Sequence, residues 1–110
     1  MLAQRIATIA SSYALGTAAN EDIRSYLRRL YYDTAMATSQ HTLTTLLKII
    51  DPSHILYGSD TPWLPEELLE VLNRQLAESR LITDFDREGI YRHNASSLFK
   101  RLFASNLVAR

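Results

Sequence analysis

Apolar residues recur at helical spacing along most of this chain, and the spacing breaks in two short continuous runs, Tyr31-Tyr32 and Ile55-Leu56-Tyr57. Leu2, Ile6, Ile9, Ala10 and Tyr13 predict a first helix that stops near Gly16. Asn20 reads as the cap of a second, with Glu21 and Asp22 in its first turn and Ile23, Tyr26, Leu27 and Leu30 on its apolar face. Tyr31-Tyr32 begins a strand-like run that stops at Asp33. Ser39 caps a third helix running to about Ile50, with Leu43, Leu46, Leu47 and Ile50 on one face. Asp51-Pro52-Ser53 ends it, because proline cannot continue the hydrogen-bond ladder. His54 to Tyr57 is the second strand. Strand, helix and strand in so short a span form a βαβ unit, which implies parallel pairing.

Pro65 suits a first helical turn, and Glu66 and Glu67 complement the positive end of the helix dipole. Leu68, Leu69, Leu72 and Leu76 carry that helix to about Ser79. Thr83 with Asp84 and Asp86 starts another, through about Arg92. A last helix runs from Asn94 to about Phe103, with Lys100 and Arg101 in its final turns. No repeat, low-complexity segment or linker interrupts the chain, so residues 1–110 read as a single domain of α/β class.

Composition narrows the function classes. The 110 residues carry 12 basic and 12 acidic side chains, a formal net charge of zero. There is no basic patch interleaved with aromatics, so no nucleic-acid partner is expected. No apolar stretch approaches the roughly 18 to 20 residues of a membrane span. Met1 to Ala7 lack a charged leader followed by an apolar core, so no signal peptide is expected. The absence of cysteine excludes disulfides and thiolate zinc sites and fits a cytoplasmic location.

The chemistry-bearing feature is the segment His54-Ile55-Leu56-Tyr57-Gly58-Ser59-Asp60-Thr61-Pro62-Trp63. Gly58 provides backbone freedom or close approach where the strand stops. Asp60 follows, where a parallel strand hands over to its loop, and in α/β barrels that end carries the chemistry. A carboxylate there can bind a metal or orient a water. The alternative is a turn aspartate ahead of Pro62. Asp33 ends the other strand and should face the same way. Trp63 either lines a pocket or packs as cover.

Gly58-Ser59-Asp60-Thr61-Pro62 resembles the GSDxP segment that ends the eighth strand of the amidohydrolase-related (amidohydrolase 2) family, metal-dependent hydrolases and decarboxylases on a TIM barrel. Leu30-Tyr31-Tyr32-Asp33-Thr34-Ala35 is similar to the family's seventh strand, an aromatic pair followed by Asp-Thr-Ala. Asn94-Ala95-Ser96-Ser97-Leu98-Phe99 resembles its closing helix. The three occur in the family's order, from about Leu30 to Leu102. The resemblance implies the C-terminal portion of a (β/α)8 barrel, strands seven and eight with flanking helices, because a whole barrel needs roughly 200 residues or more. It implies that Asp60 is a metal ligand and the catalytic carboxylate, that Asp33 faces the substrate or supports the site, and that the full-length family uses a divalent metal, most often zinc. The substrate would be a small carboxylated or cyclic molecule.

The family's His-x-His pair has no counterpart in these 110 residues. His54 lies at the start of its strand, about 20 Å from Asp60 at ~3.3 Å per residue. His41 falls in a first helical turn and His93 just before the last helix. One carboxylate is too few for zinc, which takes about three protein ligands at catalytic sites. The chain alone is therefore expected to bind no metal tightly and to be inactive. Two parallel strands leave both outer edges open, so the chain is expected to form a homo-oligomer or to depart from barrel geometry. The alternative to an enzyme segment is a non-catalytic, mostly helical remnant that folds by self-association.

Overall fold

The computed structural model describes residues 18–100; the first expected helix and the end of the last lie outside them. The described part is mostly helical, with two parallel strands. In chain order it runs α1 (Ala18–Arg29), β1 (Tyr32–Asp33), α2 (Gln40–Leu47), a 3-10 turn (Pro52–His54), β2 (Ile55–Leu56), α3 (Glu66–Glu78), α4 (Asp84–Glu88), a π-helical turn (Gly89–His93) and α5 (Asn94–Leu98).

β1 and β2 pair in parallel, Tyr32 opposite Ile55 and Asp33 opposite Leu56. The ladder continues one step further through Thr34 N–H donating to the Leu56 carbonyl at 2.9 Å. Ser39 caps α2 by accepting the Thr42 N–H at 3.3 Å. Asp51 caps the 3-10 turn, accepting both the Ser53 N–H at 2.9 Å and its hydroxyl at 2.6 Å. These two bonds hold the Asp51 carboxyl below its ordinary range.

The core is a single cluster of Leu43, Ile50, Ile55, Leu76, Ile82 and Ile90, with Tyr32, Leu46, Leu47 and Ile49 packed against it. It lies between the helices and one face of the strand pair. Tyr32 and Ile55 point into it. By strand alternation Asp33 and Leu56 project from the opposite face. α3 is anchored at its C-terminal end by Arg87, which donates from Nε to the Leu76 carbonyl at 3.3 Å, contacts the Ser79 carbonyl and pairs with Asp84. A cation there satisfies carbonyls that a helix end leaves without partners.

The structure differs from the sequence expectation at both ends of the chain and at His54, which lies in the 3-10 turn and not in the strand. Asn20 lies inside α1, because Ala18 and Ala19 extend the helix upstream. The two helices expected on either side of His93 are one continuous run from Asp84 to Leu98, widened by the π turn. No helix breaker separates them. The wide turn presents the Ile90 carbonyl to the Tyr57 N–H, at 3.0 Å.

Asn94, in the third family-like motif, explains why that helix sits against β2. Its side-chain amide donates to the carbonyls of Pro52 at 2.9 Å and Ile55 at 2.8 Å. Gly89 leaves room for it, since a Cβ there would stand 3.0 Å from Asn94 Oδ1. Asn94→Ala leaves two carbonyls without this donor and is expected to cost ~1–3 kcal/mol in urea unfolding. Wild-type stability in that variant would contradict the assignment.

Candidate functional site

The strand ends and the loops that leave them form the candidate site. Two non-glycine residues among the described ones have left-handed backbone, Met36 at φ 57° and Asp60 at φ 58°, each in a loop following a strand. Side chains in that region cost free energy, though aspartate tolerates it better than most. Such positions cluster where loops are shaped for function.

The Asp60 loop is a tight turn. The Asp60 carbonyl accepts the N–H groups of Trp63 at 2.9 Å and Leu64 at 3.1 Å. Ser59 Oγ accepts the Thr61 N–H at 3.3 Å, and the Thr61-Pro62 peptide bond is cis. These contacts run through the backbone and Ser59, and Asp60 itself is exposed. The turn reading of Asp60 and the chemical one are therefore compatible: the main chain makes the turn and the carboxylate is left at the surface.

Asp33 is exposed beside Gly58. Its Oδ1 accepts the Ala35 N–H at 2.9 Å. A Cβ built on Gly58 would lie 3.1 Å from Asp33 Cβ and 3.2 Å from its Cγ. Gly58 is thus needed for close approach between the two strand ends. Thr34, buried next to Asp33, bonds both backbone groups of Gly58: its hydroxyl donates to the carbonyl at 3.2 Å and accepts the N–H at 3.0 Å. Local sequence does not reveal what the Thr34 hydroxyl does, because its partner is 24 residues away.

Trp63 is 84% exposed on the outer side of the loop. A partly open cavity of about 440 Å³ lies elsewhere, between Thr38 and Gln40 ahead of and at the start of α2 and Gln75, Glu78 and Arg80 at the end of α3 and just beyond; Asp33, Asp60 and Trp63 do not line it. Tyr57, which leaves the end of β2, donates its hydroxyl to Asn73 Oδ1 at 2.9 Å and tilts against Tyr91, with ring centroids 5.6 Å apart. Burial pushes the Tyr91 phenol up.

The histidines are engaged away from the strand ends or exposed. His54 Nδ1 is 3.1 Å from the Leu30 carbonyl, and its ring stacks on Tyr31 at 4.4 Å. His41 and His93 lie on helical surface. Among the described residues no three His, Asp or Glu side chains gather to hold a metal ion. The donors around Asp60 do not by themselves fit a zinc site. Among the described residues no helix is long and apolar enough to cross a membrane.

The chain, compared over most of its length, is similar to known proteins. A crystal structure of an amidohydrolase II superposes with a TM-score of 0.73 and 30% identity, over 89% of this chain and 30% of that one. The 6-methylsalicylic acid decarboxylase acuB of Aspergillus aculeatus is 30% identical over 89 residues, 80% of this chain and 27% of the relative. The 6-methylsalicylic acid decarboxylase of Penicillium expansum is 35% identical over 49 residues, 44% of this chain and 15% of the relative. No family model matches the chain. The chain is thus similar to an amidohydrolase and to two decarboxylases, in each case over less than a third of their length.

Proposed function

We propose that this chain is the strand-seven and strand-eight portion of a TIM-barrel amidohydrolase-related enzyme, a hydrolase or decarboxylase acting on a small carboxylated or cyclic substrate. The observation that carries the reading is the position of Asp60: exposed, left-handed and next to the end of a parallel strand, in a segment related to decarboxylases. Asp60 is the catalytic carboxylate and accepts a proton at its side-chain oxygens. Asp33, on the sheet face away from the helical core, contributes to the substrate side of the site, and Trp63, exposed just after Asp60, lines the substrate pocket of the whole enzyme.

The family's divalent metal, most often zinc, supplies a Lewis acid when bound. This chain brings one carboxylate toward it, and the histidine ligands come from outside these 110 residues. The exposed apolar side chains of Tyr26 in α1, at 65%, and of Leu30 just after it, at 53%, and the unpaired outer edges of β1 and β2 among the described residues are surfaces that further barrel segments would cover. A cytoplasmic location belongs to the same reading.

The test is a graft in which this chain replaces the matching segment of the Aspergillus aculeatus decarboxylase. A folded, zinc-loaded graft is expected to release carbon dioxide from 6-methylsalicylate. A folded, zinc-loaded graft without any turnover would contradict the reading. A second reading, a non-catalytic remnant that folds as a homo-oligomer, is favoured by the missing histidine ligands and predicts a metal-free self-associated chain.

A further inference from the structure

The geometry points to Thr34 as a positioning residue for the Asp60 loop, an inference that rests on the catalytic reading of Asp60. Thr34 is 3% exposed, and three bonds from this one residue reach the end of β2 and the start of its loop. Its N–H donates to the Leu56 carbonyl, its hydroxyl donates to the Gly58 carbonyl, and the same hydroxyl accepts the Gly58 N–H. A hydroxyl has one hydrogen to give and lone pairs to accept, so both bonds to Gly58 are satisfied at once.

The effect is to hold the peptide groups on both sides of Gly58 against the end of β1. Asp33 crowds Gly58 as well: its Cβ and Cγ lie 3.1 and 3.2 Å from where a Gly58 Cβ would be. Gly58 is two residues from Asp60, and Asp60 holds a left-handed conformation. Fixing the Gly58 peptides fixes the point from which the backbone enters the Asp60 turn. Released from Thr34, Gly58 regains the freedom peculiar to glycine, and the backbone that carries Asp60 loses its fixed point of departure. Thr34 acts through Gly58 and touches no reacting atom.

The experiment is NMR on the full chain with Thr34→Val, which keeps the shape and removes the hydroxyl, and Thr34→Ser, which keeps the hydroxyl. Thr34→Val is expected to speed Gly58 amide exchange by up to about tenfold, the size of one net hydrogen bond, while Thr34→Ser stays within about twofold of wild type. Thr34→Val is also expected to move the Asp60 Cα and Cβ shifts out of their left-handed range. A merely structural threonine would lower stability and leave that signature unchanged in the folded protein. Unchanged Gly58 exchange and Asp60 shifts in Thr34→Val would overturn the inference, as would equal behaviour of the valine and serine variants. If Thr34→Val does not fold, Thr34→Ala is read by the same criteria. Neither readout needs turnover, so this inference and the catalytic reading can fail separately.

Discussion

Asp60→Asn is expected to lower carbon dioxide release by the grafted enzyme by ~10²–10⁴-fold, the range that a positioned general acid or base contributes. Asparagine is the right probe for this position. It keeps the side-chain size and tolerates the left-handed φ of 58° at least as well as aspartate, so the backbone of the turn is retained. The turn's hydrogen bonds also survive, since they use the Asp60 carbonyl and Ser59 Oγ. What the substitution removes is the charge and the proton acceptor. A loss confined to turnover, with an unchanged unfolding midpoint, is the expected result. Turnover within about twofold of the parent graft would mean that Asp60 is a turn residue only.

Ile55→Ala is expected to destabilise the chain by ~2–5 kcal/mol in urea unfolding, the range for truncating a large aliphatic side chain in a packed core. Ile55 is fully buried, and as the first residue of β2 it joins the strand pair to the helical cluster of Leu43, Ile50, Leu76, Ile82 and Ile90. Its carbonyl is also one of the two that Asn94 holds. A cavity there lies on the strand that carries the Asp60 loop, so graft turnover should fall at temperatures where the parent remains active. Val71→Ala on α3 is the control: Val71 is 48% exposed, and its truncation should stay within ~0.5 kcal/mol of wild type. Equal midpoints for Ile55→Ala and the control would contradict the described core.

The parts of this fold legible in the sequence were those set by local chemistry. Ser39 reads as a cap and accepts the Thr42 N–H as a cap does. Pro65 followed by Glu66 and Glu67 marks the start of α3. The two apolar runs became paired parallel strands, each shortened to two residues. Asp51 and Pro52 draw His54 into a 3-10 turn and take it from the expected strand. What stayed hidden depends on residues far apart in sequence. Thr34 reads as part of a motif, and only its approach to Gly58 shows what the hydroxyl does. The two roles open to Gly58 are separated by the neighbouring Asp33 side chain: the position demands closeness. The π turn has no local signal, because its partner, the Tyr57 N–H, is far away in sequence. Asp60 was legible as a residue, but the groups that would complete a metal site around it have no counterpart among the described residues.

Asp60 is proposed here to belong to a metal-dependent site whose other ligands lie outside these residues. Native mass spectrometry of the polypeptide isolated from its source, with whatever copurifies, tests it most directly. The expected species is an assembly that contains a His-x-His segment and a bound divalent metal, whether in one longer polypeptide or in a complex. A mass of 12.5 kDa, or a simple multiple of it, with no metal bound would rule out that site and leave the self-associating remnant in its place.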